Sequence, residues 1–256
     1  MPKLQNIFYK LSGCGNDFIF VEDKVAENLK LNKSKTIKYC ARKTGIGADG
    51  LIIFSLSPTP SWKFYNNDGT KANFCGNAAR SFIFLLSEVF KYPKTKLFFQ
   101  SDIGKIIGEK RNNNFFVEVD APKMVEHKIN KEKDMFLINS GVPHLVVYNA
   151  RLSNLDQLLL VGQKHRQNGR LLKEGVNVTF IDRKFNSITF ERGVDYFTLA
   201  CGTGALAGAF ALKDKLQRNK FRFKFPGGDL LVETGTEKYM LGGKVSYIYK
   251  GEIEVI

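Results

Sequence analysis

The apolar positions of this chain fall mostly into short runs of strand length, with two exceptions. Ala78–Val89 and the segment 204–211, GALAGAFA, are apolar nearly all round. A helix without a polar face is buried on every side, so each is expected at the centre of a layer or barrel. Between them the pattern is one of strands and turns. Residues 7–23 hold two apolar runs about a Gly-Cys-Gly-Asn-Asp turn and read as a hairpin. Leu51–Leu56, Trp62–Tyr65, Lys94–Ser101, Lys105–Ile107 and Phe115–Asp120 read as strands, with the three asparagines at 112–114 as a hairpin tip. A short helix is expected within 32–44, ending near Arg42, and Asn77 is read as the N-cap of the first apolar helix. The charged stretch Pro122–Lys133 has weak patterning and reads as a crossing into the second half.

That second half repeats the first. An offset of 126 residues sets Gly15 on Gly141, Phe64 on Phe190, Cys75 on Cys201, Leu86 on Leu212 and Phe99 on Phe225. Self-similarity at half the chain length predicts two domains of one design, related by a pseudo-two-fold axis. In each half the apolar helix is preceded directly by a cysteine. A thiol just ahead of a helix N-terminus lies in the positive end of the helix dipole, which favours thiolate. A lone cysteine there would more readily be structural; the second copy changes the balance. Under the expected symmetry Cys75 and Cys201 would face one another across the domain cleft. Two such thiols suit removal of a proton from one face of a carbon and its return from the other. Gly76 and Gly202 leave backbone N–H groups at both helix starts to hold a carboxylate and the charge that develops on it.

Composition narrows the field. The chain has 256 residues, is 43% hydrophobic, and holds four cysteines with no Cys-x-x-Cys pairing. Neither a disulfide scaffold nor a zinc ribbon is suggested, and no apolar run approaches the roughly 20 residues of a membrane span. The N-terminal MPKLQNIFYK lacks a signal-like apolar segment, so a reducing cytoplasmic location is expected. The net charge of +14 raises nucleic acid as a partner, yet 29 of the 39 basic residues are Lys, scattered singly, without a nucleic-acid-binding motif. A positive field that attracts an anionic substrate is the preferred reading.

Eight segments carry a resemblance. KLSGCGNDFIFVED, GIGADG, FYNNDGTKANFCGNAAR, SGVPHLVV, EGVNVTF, FERG, ACGTGA and FPGGDLLVE resemble the motifs of the diaminopimelate epimerase family, in its order and spacing, from about residue 8 to the C-terminus. The resemblance implies an α/β (α+β) fold of two pseudo-symmetric domains, each a mostly antiparallel sheet or barrel around a central helix, with the active site in the cleft. It divides the chain into 1–121 with 244–256, and 122–243. It implies a cofactor-independent isomerase that interconverts LL- and meso-diaminopimelate on the route to lysine and peptidoglycan. The partners implied are a small amino-acid substrate and a second copy of the chain, with no nucleic acid, membrane, cofactor or metal.

Carried onto this sequence, the resemblance makes Cys75 and Cys201 the acid–base pair. Gly76–Asn77 and Gly202–Thr203 cradle the reacting α-carboxylate. Asn16, Asn66, Asn177 and Arg192 bind the distal amino-acid end, and Glu191–Arg192 the reacting α-amino group. His144 and Glu191 tune the thiols, and Tyr249 lies at the dimer interface. Taken singly, each Asn is as readily a turn residue, His144 a part-buried histidine, and Glu191–Arg192 a charged strand end. Cys14 and Cys40 read as structural. The sequence departs from the family pattern at Val142, where an Asn is common, and at Gly50, where a Gln is common. It also has one residue more between Arg192 and Cys201, with Tyr196–Phe197 in place of small or polar residues. A racemase of another amino acid on the same scaffold is the nearest alternative, and a basic nucleic-acid-binding protein the alternative from a different class.

Overall fold

The computed structural model describes residues 5–130, 134–166 and 175–253. The chain divides into two compact units, Met1–Val117 with Lys244–Ile256, and Glu118–Gly243.

In the first unit, β1 (Ile7–Gly13) and β2 (Asn16–Glu22) form the expected hairpin, with Cys14 (φ 56°) and Gly15 (φ 92°) in its turn. Helices α1 (Asp23–Asn28) and α2 (Lys33–Cys40) lead to β3 (Gly50–Ser55), which runs parallel to β2. Asn32 caps α2, accepting from the Lys35 N–H at 3.0 Å; the helix ends at Cys40, two residues before the expected Arg42. β4 (Ser61–Asn66) and the short β5 (Lys71–Ala72) precede α3 (Gly76–Phe84), which continues as one π turn, Leu85–Val89. The unit then adds β6 (Lys96–Ser101), β7 (Gly104–Arg111) and the start of β8 (Asn114–Asp120), whose residues after Val117 are counted in the second unit; the β7–β8 turn is the Asn112–Asn113 tip.

The second unit has the same plan. β9 (Lys123–Asn130), β10 (Met135–Asn139) and β11 (Pro143–Tyr148) are antiparallel neighbours. Helix α4 (Leu155–Arg166) carries the chain to β12 (Asn177–Ile181), parallel to β11, and then β13 (Ser187–Glu191) and β14 (Tyr196–Thr198). Helix α5 (Gly202–Leu212) is followed by β15 (Lys220–Phe225), β16 (Gly228–Glu233) and β17 (Lys238–Gly243). β18 (Ser246–Glu252) pairs with β1 and belongs to the first unit. Both units thus run hairpin, helical crossover, parallel strand, antiparallel strand, central helix, three-strand meander. That shared order is the structural form of the 126-residue repeat.

Two expectations fail. Pro122–Lys133 contains the strand β9, whose lysines and glutamate masked it; residues 131–133 lie outside the described residues. Asn77 does not cap α3. Cys75 is extended (φ −144°, ψ 120°) and its carbonyl accepts the Ala79 N–H at 2.9 Å, so the helix starts one residue after the cysteine and Asn77 lies inside it.

The central helices differ in character. α3 packs on β1, β2 and β7, with Phe82 stacked on Phe20 and set edge-on to Phe99. Trp62 and Phe54 complete this aromatic cluster, which holds the helix from within; each such buried ring contributes about 1.5–3 kcal/mol. The expectation of a helix apolar all round holds only in part, because Arg80 and Ser81 are fully buried on α3. α5 is surrounded by β10, β11, β12, β15, β16 and β17, and its small side chains allow that close packing.

Candidate active site

In the first unit, strand register gathers the predicted residues at one edge. β2 begins at Asn16, β3 at Gly50, and antiparallel β4 ends at Asn66, opposite Gly50. Helix α3 starts at the same edge, because the Asn77 side-chain amide donates to Asn16 Oδ1. Asn16 Nδ2 donates in turn to Asp49 Oδ2 at 3.1 Å. Asp49 and Asp17 share Arg42, and Lys10, itself buried, lies 2.7 Å from Asp17. Burial would raise the Asp17 carboxyl, but the Arg42 and Lys10 hydrogen bonds hold it below the usual carboxylate range. Asn66 closes its own turn, donating from Nδ2 to Thr70 Oγ1 at 3.0 Å. Cys75, half-buried, stands just ahead of this set at the N-cap of α3.

Arg80 went unnoticed in the sequence. Its guanidinium donates to Asn77 Oδ1 and, at 3.2 Å, to the Lys244 carbonyl, with Cys14 Sγ at 3.7 Å. Among the described residues Arg80 forms no ion pair with a carboxylate, and Nε has no hydrogen-bond partner. A buried positive charge therefore lies behind the N-terminal turn of α3 and adds to the positive end of that helix. Cys14 and Cys40 are buried, and burial pushes the Cys40 thiol up to about 12, as structural cysteines require.

The second unit repeats the edge with different chemistry. β11 opens with Pro143–His144, β12 with Asn177, and β13 ends at Glu191; His144 is in register with Asn177. Cys201 caps α5, its sulfur accepting the Gly204 N–H at 3.4 Å. The Thr203 hydroxyl lies 3.3 Å from that sulfur and 2.9 Å from His144 Nε2. Asn177, buried, accepts the Arg192 N–H at 2.7 Å and turns its Nδ2 toward His144 Nε2 at 3.3 Å. One hydrogen-bonded set thus joins Asn177, Arg192, His144, Thr203 and Cys201. Gly202 and Thr203 form the first turn of α5, where the N–H groups of a helix meet an anion.

At Cys201 the helix start that favours thiolate is opposed by burial. Burial, then the Glu191 carboxylate, raises its thiol to about 12, against hydrogen bonds from Thr203, Gly204 and Thr189 that lower it. Desolvation is the largest of these effects and favours the thiol at Cys201. The Glu191 carboxylate acts on this thiol in the direction of protonation. His144 is fully buried rather than part-buried, and burial pushes its imidazole down to about 3, so it is neutral.

Thr179 and Thr189 also went unnoticed. Both are fully buried, and their hydroxyls lie 3.1 Å apart with Thr179 2.9 Å from His144 Nδ1. A threonine within an otherwise apolar buried strand was the available signal, since a buried hydroxyl requires a partner. Tyr249 lies on β18, exposed, with its ring edge-on to Phe8 and with Tyr247 and Ile248 exposed beside it. Among the described residues no cluster of three His, Cys, Asp or Glu could hold a metal ion, and no helix is long and apolar enough to cross a membrane.

The family model described as diaminopimelate epimerase matches residues 8–125 and 136–248. The chain belongs to the diaminopimelate epimerase family. Relatives named diaminopimelate epimerase include that of Flavobacterium psychrophilum, 31% identical over 96% of this chain and 99% of the relative. That of Helicobacter pylori strain 26695 is 32% identical over 98% and 94%. Membership makes the protein an isomerase of the epimerase kind. The fold recurs in solved structures at lower identity. A phenazine biosynthesis protein of the PhzF family from Enterococcus faecalis aligns with a TM-score of 0.70 at 14% identity, over 97% of this chain and 98% of that one. A probable proline racemase from Agrobacterium radiobacter aligns at 0.66 and 12%, over 98% and 93%. The two-domain α+β architecture is therefore shared across this set.

Proposed function

We propose that this epimerase interconverts LL- and meso-diaminopimelate by cofactor-independent 1,1-proton transfer between Cys75 and Cys201. The observation that carries the reading is the equivalence of the two cysteines: each occupies the N-cap of its unit's central helix, at the strand edge where the predicted binding residues collect. In the forward step a thiolate takes the α-proton, and the opposing thiol gives its proton to the other face of the same carbon. The stereocentre inverts and the protonation states of the two sulfurs exchange, so the reverse reaction uses the same parts. Cys201, resting as the thiol, suits the proton donor. The buried Arg80 guanidinium behind the start of α3 suits a base at Cys75.

The first-turn N–H groups at Gly76–Asn77 and Gly202–Thr203 would hold the α-carboxylate and take up charge as the proton leaves. Asn16, Asn66, Asn177, Glu191 and Arg192 would bind the amino and distal groups. The exposed Tyr247, Ile248 and Tyr249 on β18 support a homodimer joined there, and four reduced cysteines suit a cytoplasmic enzyme. The test is exchange in heavy water. Reduced protein without pyridoxal phosphate or added metal is expected to place deuterium at the α-carbon of either isomer; absence of exchange would sink the reading. Val142 offers no side-chain amide, where the family resemblance implies one, and this supports one alternative, a racemase of another amino acid on the same scaffold. Exchange measured over a panel of amino acids separates the two.

A further inference from the structure

We propose that Thr179 and Thr189 are positioning residues that close a hydrogen-bonded circuit around Cys201, so that when its sulfur gives its proton to the substrate carbon the thiolate left behind is solvated by rotation of a hydroxyl. The inference rests on the acid–base role proposed for Cys201.

The circuit has five members. Cys201 Sγ lies 3.3 Å from Thr203 Oγ1, and Thr203 Oγ1 lies 2.9 Å from His144 Nε2. His144 Nδ1 lies 2.9 Å from Thr179 Oγ1, and Thr179 Oγ1 lies 3.1 Å from Thr189 Oγ1. The Thr189 hydroxyl sits with Thr179 over the same helix start as the sulfur and acts on the Cys201 thiol in the lowering direction, which makes it the closing member. His144, Thr179 and Thr189 are fully buried and Cys201 is 5% exposed, so each hydroxyl depends on the next.

Asn177 sets the direction. Its Oδ1 accepts the Arg192 N–H, which leaves its Nδ2 to donate to His144 Nε2. Nε2 is then the acceptor nitrogen and Nδ1 carries the hydrogen. Nδ1–H donates to Thr179, Thr179 to Thr189, and Thr189 to the sulfur. On the other side Cys201 S–H donates to Thr203, and Thr203 donates to Nε2. All five bonds run in one sense.

When Cys201 gives its proton to the substrate carbon, the thiolate already holds the Gly204 N–H, and the Thr189 O–H is the donor the circuit directs to it. Rotation of the Thr203 hydroxyl from Nε2 to the sulfur supplies a third donor, while Asn177 keeps Nε2 partnered. No proton passes to His144 or to a threonine, so the count at the sulfur is one proton out and one hydrogen bond in. Three donors offset the desolvation that a buried thiolate meets.

Gly204 provides an independent sign of this construction. A Cβ there would lie 2.7 Å from Thr179 Oγ1 and 2.8 Å from Thr189 Oγ1, so glycine is what lets both hydroxyls come in over the helix start. Among the described residues the first unit has no such circuit. The 126-residue offset sets Phe18 at the place of His144, Lys63 at that of Thr189 and Asn77 at that of Thr203.

The test reads the sulfur directly. Full-length reduced protein is alkylated with iodoacetamide at one fixed pH at which the fold is stable, and labelling of Cys201 is followed by peptide mass spectrometry with Cys75 as internal reference. Thr189→Val should slow Cys201 labelling by about tenfold, roughly the worth of one hydrogen bond to a charged group. Thr189→Ser should restore the rate and Cys75 should not change. Thr179→Val should slow it by less, and carries the test alone if Thr189→Val does not fold. An unchanged Cys201 rate in the Val variants, or Thr189→Ser slowed as far as Thr189→Val, overturns the circuit. A slowed rate in a protein that exchanges no substrate hydrogen would leave the circuit standing and remove the proposed reaction.

Discussion

The Thr203 hydroxyl stands 2.9 Å from His144 Nε2, within reach of the Cys201 sulfur. Thr203→Val removes the O–H that serves both while keeping a β-branched side chain of similar volume. Epimerisation should fall by at least about tenfold, the worth of one hydrogen bond to a charged group, with the larger change in kcat than in KM. Thr203→Ser should keep most of the rate. Equal activity in Val and wild type would show that the hydroxyl does no chemical service.

His144 makes a separate prediction through stability. Its folded pKa of about 3 lies below the ordinary histidine value of 6.5. The unfolded chain therefore binds this proton first as pH falls. The stabilisation is complete above pH ~6.5 and is lost as pH drops toward about 3, at up to about 1.4 kcal/mol per pH unit. Urea unfolding of His144→Gln should show a shallower loss of stability than wild type between pH 6.5 and 5. Parallel slopes would mean that the imidazole is not held neutral.

Arg80 and Leu206 occupy equivalent places in the two central helices, yet only Arg80 reaches a polar neighbour at the helix start. Arg80→Leu should release Asn77 and withdraw the buried charge. Alkylation of Cys75 at neutral pH should slow severalfold while Cys201 labelling stays unchanged. Arg80→Lys should not restore it, because an ammonium cannot reproduce the guanidinium's fork to Asn77 and the Lys244 carbonyl. If Arg80→Leu labels at the wild-type rate at Cys75, the guanidinium is only a packing element.

Gly204→Ala tests how tightly the threonine hydroxyls are held. The added methyl would overlap Thr179 and Thr189 Oγ1, and forcing them aside should cost about 1–3 kcal/mol in thermal or urea unfolding. Removing both hydroxyls with Thr179→Val and Thr189→Val leaves methyls in the same space, so the double variant should not rescue Gly204→Ala. Full recovery in the triple variant would show that polarity rather than volume sets the cost.

The sequence carried the repeat, both cysteines and the helices behind them, because equal spacing of glycine, cysteine and apolar runs survives in one dimension. It carried less of the site's interior. Thr179 and Thr189 read as ordinary strand formers, since nothing in their neighbours announces that their hydroxyls converge on His144 and Cys201 from separate strands. Asn77 was misplaced as a cap because cap preference looks only at residue type, whereas the extended Cys75 starts the helix and Asn16 and Arg80 bind the amide. Arg80 was overlooked inside an apolar run for the same reason: its partners, Cys14 and Lys244, are far away in sequence. The charge state of Cys201 was legible only in part. A helix start is visible in sequence, but the burial that opposes it is a property of the packed fold.

The two-thiol mechanism makes the sharpest demand. As proposed, proton removal and proton return belong to different sulfurs, so replacing either would leave one half of the transfer without a group. Cys75→Ala and Cys201→Ala should each lose interconversion of LL- and meso-diaminopimelate by several orders of magnitude, while folding is preserved at Cys75 and slightly weakened at the buried Cys201. Cys14→Ser or Cys40→Ala, by contrast, should alter stability and leave the chemistry nearly intact. Mixing the two inactive single variants should restore nothing if each chain supplies both of its own thiols. The mechanism falls if Cys75→Ala or Cys201→Ala retains a near-wild-type rate of isomer conversion, measured by chromatography of the stereoisomers. That result would leave one thiol acting with another acid, and Glu191, whose field already reaches Cys201, would be the first group to replace next.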